Sequence, residues 1–357
     1  MCAAQAKGSI ATEVEILFAE HICSRNEGFE KVCFVNSGTE AVMGAIKAAR
    51  AFTGRPKIAK VEGAYHGLYD YAEVSQTAKP ESWGKKDKPT SVPVAHGIPA
   101  KALSDVVVIP FNDIERARAI LDANKDEIAC VLLDLMPHRV GLRPAEADFV
   151  EFLREWTTKD DALLVLDKVI TFRSTYGGAQ GWYNIAPDLT AMGKMIGGGF
   201  PVGAIAGRKE VMEVMNPLAD KVLFPHSGTF SANPVTMTAG LVSMIDFDEE
   251  AIDQVNALAT RAIDGINEAI AETGIKACVT GGGSVFRVHL KEHPPHNYRE
   301  AYTTPEENAR LVVLLDHLFD EGFLMINTCA AVMATSLRNT EIDALVAALK
   351  GGFAKIK

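Results

Sequence analysis

Hydrophobic residues along the first two thirds of the chain form short continuous runs separated by amphipathic stretches. The runs have the length and composition of strands buried on both faces, and they lie at Lys31–Val35, Lys57–Val61, Val106–Ile109, Ile128–Asp134 and Ala162–Ile170. Between them, apolar residues recur at helical spacing over residues 9–25, 40–50, 112–123 and 149–158. This alternation predicts an α/β fold with a mainly parallel sheet flanked by helices.

The pattern changes near Asp246–Glu250, a run of charged residues that we interpret as a solvated hinge. Residues beyond it predict helix, strand, loop, helix, strand and helix, a smaller α+β domain. The sequence therefore predicts two domains, residues 1–247 and 248–357. Within the first, residues 74–105 contain four prolines and no periodicity, which predicts a long loop, either bordering a functional site or forming a solvated surface excursion.

The composition is typical of a globular protein and argues against several other classes. Hydrophobic residues make up 48% and charged residues 23% of the 357 residues, as in ordinary globular proteins. The formal net charge of −10 argues against non-specific nucleic-acid binding. No apolar run approaches the length of a membrane span, and the first residues lack the apolar core of a secretion signal. The six cysteines are scattered without metal-ligand spacing, so we expect reduced thiols, no metal and a cytoplasmic protein.

A lysine in a glycine-rich segment is the first candidate for chemistry. Lys194 lies among small residues in Ala191–Gly203, where another molecule can approach its amine closely. Lysine forms Schiff bases with carbonyl compounds, and pyridoxal phosphate is the commonest carbonyl cofactor held in this way. Such a site also needs a carboxylate for the pyridine nitrogen, a phosphate cradle and a flat group against the ring.

The chain offers a candidate for each part. Asp167 lies 27 residues before the lysine, near the carboxyl end of a buried strand, where ligands of α/β sheets collect. Without the other motifs, an aspartate at this position could equally cap the next turn. Ser37, Gly38 and Thr39 form a small polar turn between a strand and a helix, which suits a phosphate, although such a turn is also an ordinary helix N-cap.

The flat group is Tyr65 or His66, in a turn bracketed by glycines; such a turn can also simply lie on the surface.

Five motifs in this order resemble the class III, fold type I pyridoxal phosphate aminotransferases. The subgroup that looks nearest contains glutamate-1-semialdehyde aminomutase and its transaminase relatives, including those that act on β-amino acids. The resemblance runs from about Ser9 to the C-terminus. The motifs are Asn36-Ser-Gly-Thr-Glu-Ala41, Tyr65-His-Gly67, Asp167-x-Val169, Pro187-Asp-Leu-Thr190 with Gly193-Lys194 and Ile196-Gly-Gly-Gly199, and His226-Ser-Gly-Thr-Phe230.

The resemblance implies a role for each candidate. Lys194 would form the Schiff base with the cofactor and move protons, and Asp167 would pair with the pyridine nitrogen. The Ser37–Thr39 turn would bind the phosphate. Tyr65, with His66 beside it, would stack on the ring, and Val169 would contact the other face of the ring.

The resemblance also implies a homodimer with shared active sites. Thr229 would reach the phosphate of the neighbouring subunit, and the partners would otherwise be small amino and keto substrates.

Three features of this sequence depart from the family pattern or leave alternatives open. Lys168 stands where most members have glutamate, and we expect its side chain to point away from the cofactor, because side chains alternate along a strand. Arg139 could pair with a substrate carboxylate or form a structural ion pair. Members also carry several tens of residues before the first helix here, so we expect a shortened or truncated chain and an effect on substrate binding.

The expected reaction is transfer of an amino group between an amino acid, β-amino acids included, or an amine and a keto acid. Residues 326–333 carry no acid where the aminomutase has a glutamate, which favours intermolecular transfer. A mutase on the same scaffold is the first alternative. A catalytically impaired homologue that binds pyridoxal phosphate is the second, because of Lys168 and the short N-terminus.

Overall fold

The computed structural model describes residues 11–357, and these divide into two compact units. The large unit comprises the described residues up to Leu135 together with Ala145–Asp248. The small unit comprises Met136–Pro144 and Glu249–Lys357. The domains 1–247 and 248–357 stay a prediction, and nothing in the sequence pattern separated Met136–Pro144 from the residues around it.

The large unit is built on a seven-stranded sheet. In chain order, the strands of the large unit are β1 (Lys31–Val35), β2 (Lys57–Val61), β3 (Gly84–Lys85), β4 (Lys88–Pro89), β5 (Val106–Ile109), β6 (Ile128–Leu133), β7 (Leu163–Asp167), β8 (Leu189–Gly193) and β9 (Gly203–Gly207). Strands β3 and β4 form a separate short hairpin, and the other seven strands form the sheet. The order across the sheet is β1-β9-β8-β7-β6-β2-β5. Strand β9 runs opposite to the other six strands of this sheet, so the predicted α/β fold with a mainly parallel sheet is confirmed.

Helices cover this sheet. They are α1 (Glu13–Ser24), α2 (Gly38–Thr53), α3 (Asp70–Glu73), α4 (Ala100–Ser104), α5 (Ile114–Asp122), α6 (Ala147–Lys159), α7 (Lys209–Met212) and α8 (Pro234–Asp246). Strands β5, β6 and β7 are buried along their whole length, which explains their continuous apolar composition. The predicted start of the first helix at Ser9 lies outside the described residues.

The proline-rich stretch 74–105 is more regular than the sequence predicts. It contains the β3–β4 hairpin and α4, and the buried Ser75 ties it together. The Ser75 hydroxyl donates to the Thr90 carbonyl and accepts from the Val92 amide, both at 2.8 Å. These long-range hydrogen bonds replace the local periodicity on which the sequence prediction depended.

The small unit has the predicted α+β composition. Its antiparallel sheet, in the order β10-β11-β12, contains Cys278–Gly282, Val285–His289 and Ala330–Val332. Its helices are α9 (Glu249–Thr273), α10 (Tyr298–Ala301), α11 (Pro305–Asp320) and α12 (Asn339–Ile356). Among the helices of residues 11–357, none combines the length and the apolar character that crossing a membrane requires.

Candidate active site

The predicted lysine and aspartate lie at the carboxyl ends of adjacent parallel strands. Asp167 is the last residue of β7 and is paired in register with Ala191 of β8. Strand β8 ends at Gly193, and Lys194 begins a 3-10 turn with an exposed side chain. The Lys194 φ of 51° lies in the left-handed region, which non-glycine residues rarely adopt outside turns and functional sites. The sheet thus brings the two predicted catalytic residues to the same edge.

Asp167 is oriented by two hydrogen bonds. Its Oδ2 is 2.8 Å from His66 Nδ1, and its Oδ1 accepts from the Val169 amide at 3.0 Å. Because a carboxylate only accepts, the His66 proton lies on Nδ1. The carboxylate is almost fully buried, so both contacts act in a medium of low dielectric.

His66 is an uncharged donor to this carboxylate. Complete burial lowers the pKa of His66, Asp167 opposes that shift, and the nearby Lys60 cation lowers the pKa further. The Nε2 atom of the neutral ring is buried and has no hydrogen-bond partner among the described residues. We expected either Tyr65 or His66 to be the flat group. The structure buries His66 against Asp167 and leaves Tyr65 40% exposed, while the stacking role of Tyr65 stays a prediction.

Lys60 is a site residue that the sequence analysis missed. It lies in β2, is fully buried, and donates to the carbonyls of Val61, Ala64 and Val74 at 3.3, 3.0 and 2.7 Å. These bonds hold the turn that carries Tyr65 and His66. A lysine inside an otherwise apolar strand was the available signal.

The Ser37–Thr39 turn is a true helix N-terminus. The Ser37 hydroxyl accepts from the Glu40 amide at 3.1 Å, and the Glu40 carboxylate accepts from the Asn36 amide at 2.9 Å. The helix N-cap and the predicted phosphate site are therefore compatible. Capping by Ser37 leaves the first-turn N–H groups of Gly38 and Thr39 without partners inside the helix, so they can still donate to an anion. Helix α2 is 16 residues long, so its dipole favours an anion at this end.

Close approaches connect this turn with the other motifs. A Cβ atom on Gly38 would lie 2.8 Å from Val169 Cγ2, and one on Gly67 would lie 2.6 Å from Thr39 Oγ1. A Cβ atom on Gly193, next to the lysine, would lie 3.2 Å from the Gly38 Cα atom. The structure therefore brings the phosphate turn, the Asp167-x-Val169 motif, the Tyr-His-Gly motif and the lysine segment together.

Thr229 and Arg139 are placed differently. Thr229 is exposed in the turn before α8, and the hydroxyl of Ser231 in that turn accepts from Asn36 Nδ2 at 3.4 Å. Arg139 belongs to the small unit, in the 3-10 helix His138–Val140. The proposed contact of Thr229 with a neighbouring subunit and the proposed contact of Arg139 with substrate stay predictions.

Lys168 points away from Asp167 into a neutral cage. It is fully buried, and its Nζ donates to Gln180 Oε1 at 2.6 Å and to the Gly177 carbonyl at 3.2 Å. The same nitrogen lies 4.4 Å from the centre of the Phe29 ring. Burial lowers the pKa of Lys168 well below its ordinary value of 10.5. Two neutral acceptors, Gln180 Oε1 and the Gly177 carbonyl, therefore satisfy the buried amine of Lys168.

Comparison with known proteins gives one consistent family. The family model for class-III aminotransferases matches residues 5–349. A glutamate-1-semialdehyde 2,1-aminomutase from Methanocaldococcus jannaschii is 35% identical over 345 residues, which are 96% of this chain and 78% of that protein.

Two solved transaminase structures are also similar to the chain. An omega-transaminase from Sphaerobacter thermophilus is 42% identical with a TM-score of 0.95, covering 98% of this chain and 79% of that one. A beta-phenylalanine aminotransferase from Variovorax paradoxus is 32% identical with a TM-score of 0.82, covering 96% and 74%.

Proposed function

The chain belongs to the class-III aminotransferase family, and we propose that it is a pyridoxal phosphate-dependent aminotransferase acting between an amino acid or amine and a keto acid. The observation that carries this proposal is the buried His66–Asp167 pair, one strand away from Lys194 and beside the N-terminus of α2. The similarity to a beta-phenylalanine aminotransferase supports β-amino acids among the donors.

The residues present fit this cofactor. Glycine at 38 lets the phosphate turn approach Val169 closely, because a Cβ atom there would lie 2.8 Å from the valine Cγ2 atom. The buried Asp167 carboxylate is an acceptor suited to a protonated ring nitrogen. When bound, pyridoxal phosphate supplies an aldehyde for the lysine and a ring that withdraws electrons from the reacting carbon of the substrate.

Each residue then has a defined task. His66 donates to Asp167 and fixes the orientation of its carboxylate, which would pair with the ring nitrogen. Lys194 holds the cofactor through its amine and, once that amine is released, moves a proton at the reacting carbon. The Ser37–Thr39 turn would hold the phosphate with its first-turn N–H groups, and Tyr65 and Val169 would contact the ring.

We also propose a homodimer. Helices α1 and α8 pack on each other through Phe18 and Gly240, yet both leave apolar side chains exposed. The exposed residues are Ile16, Leu17, Val235, Val242 and Ile245. Several exposed apolar side chains on two packed helices are typical of a protein–protein interface, and a second copy of the chain would also bring Thr229 to the neighbouring phosphate. The cytoplasmic location expected from the cysteine pattern stays a prediction.

A mutase on the same scaffold is the second candidate, because the relative from Methanocaldococcus jannaschii carries an aminomutase name. An assay distinguishes the two: a mutase converts its substrate without an external keto acid, whereas an aminotransferase requires one. The impaired-homologue alternative loses part of its basis, because the structure satisfies Lys168 with neutral acceptors.

The visible absorbance spectrum tests the proposed function. We expect the purified protein to show a Schiff-base band that borohydride eliminates while attaching the cofactor covalently. Lys194→Ala should lack both the band and the attachment, whereas Lys159→Ala, a change at an exposed lysine of α6, should retain both. A parent protein that takes up no added pyridoxal phosphate would refute the proposal.

A further inference from the structure

An open crevice lies in the small unit where three helices come together. Its volume is about 680 Å³, and it is bounded by the end of α9, the first half of α11 and the end of α12. Ile275, Val313 and Ile356 give it an apolar lining, and the two isoleucines are buried. A pocket of this volume has room for a small organic molecule.

The polar lining of this crevice is cationic. It consists of Lys276, Arg310, Lys355 and Lys357. Lys276 pairs with Glu292 at 3.2 Å, whereas the other three form no ion pair with a carboxylate of residues 11–357. The crevice therefore carries an excess of positive charge.

Arg310 is held in place by one edge of its guanidinium. Its Nε donates to the Ile356 carbonyl at 3.0 Å. Both Nη groups make no hydrogen bond to residues 11–357, so they can still donate to a ligand. A side chain that is already anchored loses less freedom on binding than a mobile one, and a guanidinium matches phosphate oxygens well. Arg310 is therefore the strongest donor of the crevice.

Lys355 is anchored by His317, a buried histidine of α11. The His317 Nε2 atom is 3.0 Å from the Ala348 carbonyl, which can only accept, so the ring proton lies on Nε2. The Nδ1 atom is then an acceptor, and the Lys355 ammonium donates to it at 2.9 Å. This hydrogen bond uses one of the three ammonium protons and leaves the charge of Lys355 without a counter-ion.

Cations near the C-terminus of a helix also have a structural role, because they offset the helix dipole. Helices α9 and α12 both end at this crevice, and each end carries about half an elementary negative charge. The two ends together offset about one of the three unpaired cations. The helix dipoles thus account for only part of the cluster, and an anion would balance the remainder.

We propose that this crevice binds the phosphate group of a small anion. A phosphate group has three accepting oxygens and about two negative charges, so it can accept from several separate cations at once. The source is either an organic phosphate ester, whose organic part lies on the apolar lining, or free inorganic phosphate. This site belongs to the small unit, and the proposal does not depend on the function proposed above.

Isothermal titration calorimetry on the cofactor-loaded protein tests the proposal, because pyridoxal phosphate is expected to fill the phosphate turn of the large unit. The probes are phenyl phosphate, inorganic phosphate and benzenesulfonate, which has a ring and a single negative charge. Arg310→Met removes the charge and the planar fork, Arg310→Lys keeps the charge, and Lys357→Met removes a second cation. Arg261→Met is the matched control, because Arg261 is an exposed small-unit arginine already paired with Asp343.

We expect Arg310→Met to bind phenyl phosphate about ten- to hundredfold more weakly than the parent, because a charged hydrogen bond is lost. Arg310→Lys should recover part of this loss. Lys357→Met should bind about two- to fivefold more weakly, since this lysine is exposed, and Arg261→Met should bind like the parent. Inorganic phosphate that binds more weakly than phenyl phosphate identifies an ester as the ligand, whereas equal binding identifies free phosphate.

The proposal is overturned if neither phosphate compound binds, if binding does not depend on Arg310, or if benzenesulfonate binds as tightly as phenyl phosphate. If Arg310→Met does not fold, Arg310→Lys and Lys357→Met give the comparison, and the parent's affinity in both would overturn the proposal. A protein that takes up no pyridoxal phosphate would count against the proposed function alone, since dependence on Arg310 still locates the phosphate site in the small unit.

Discussion

Replacing Lys168 with methionine tests whether burial behind the active-site aspartate lowers the pKa of this lysine. Methionine has a similar length and no charge. The change removes the donor to Gln180 Oε1, while the Gly177 carbonyl keeps a hydrogen bond from Gln180 Nε2 at 2.7 Å. One buried acceptor is thus left without a partner, which costs about 1–3 kcal/mol. Against this, the variant no longer buries an ammonium group.

The cost of the lost hydrogen bond and the gain from removing the buried amine can be separated by measuring stability at several pH values. The folded-state pKa of Lys168 lies below its unfolded value of 10.5, so between these two values the unfolded chain binds more protons than the folded one. Stability of the parent therefore rises with pH in that interval, by about 1.4 kcal/mol per pH unit, and falls as the pH decreases toward the lowered pKa. The methionine variant lacks this dependence, so its disadvantage should be greatest at high pH.

Urea unfolding at pH 7.0, 8.0 and 9.5, with the same excess of pyridoxal phosphate, measures the difference. Lys159→Met is the control, because it makes the same substitution at an exposed lysine. A difference between parent and Lys168→Met that does not change with pH would refute the depressed pKa. A variant less stable at pH 7.0 than at 9.5, relative to the parent, would reverse the sign of the argument.

Three further predictions concern the site and the interface. Lys60→Met should destabilise the protein by about 3 kcal/mol or more and weaken cofactor binding, because it leaves the buried carbonyls of Ala64 and Val74 without donors. Urea unfolding and cofactor titration measure the two effects, and an unchanged cofactor affinity would contradict the prediction. Gly38→Ala should lower cofactor affinity because its Cβ meets the Val169 methyl groups, and adding Val169→Ala should restore part of the loss; no rescue would exclude that clash as the cause. Val242→Arg should shift the molar mass measured by light scattering toward the monomer, and an unchanged dimer would place the interface elsewhere.

Local patterns in the sequence were enough to predict the buried strands of the large unit and the sheet that they form. Buried parallel strands are apolar along their whole length, so β5, β6 and β7 stand out in one dimension. The carboxyl ends of such strands meet at one edge, which is why Asp167 and Lys194 could be placed together before any contact was known. Their spacing and neighbouring motifs also indicated the cofactor.

Contacts between distant residues were decided only by the tertiary structure. The hydrogen bond of His66 to Asp167 joins residues 101 positions apart, and no local pattern distinguishes it from stacking on a ring. The neutral surroundings of Lys168 depend on where the chain turns at Gly177 and Gln180. Periodicity reports which side of an element is buried, whereas charge and hydrogen bonding at a buried atom depend on all of its neighbours in space.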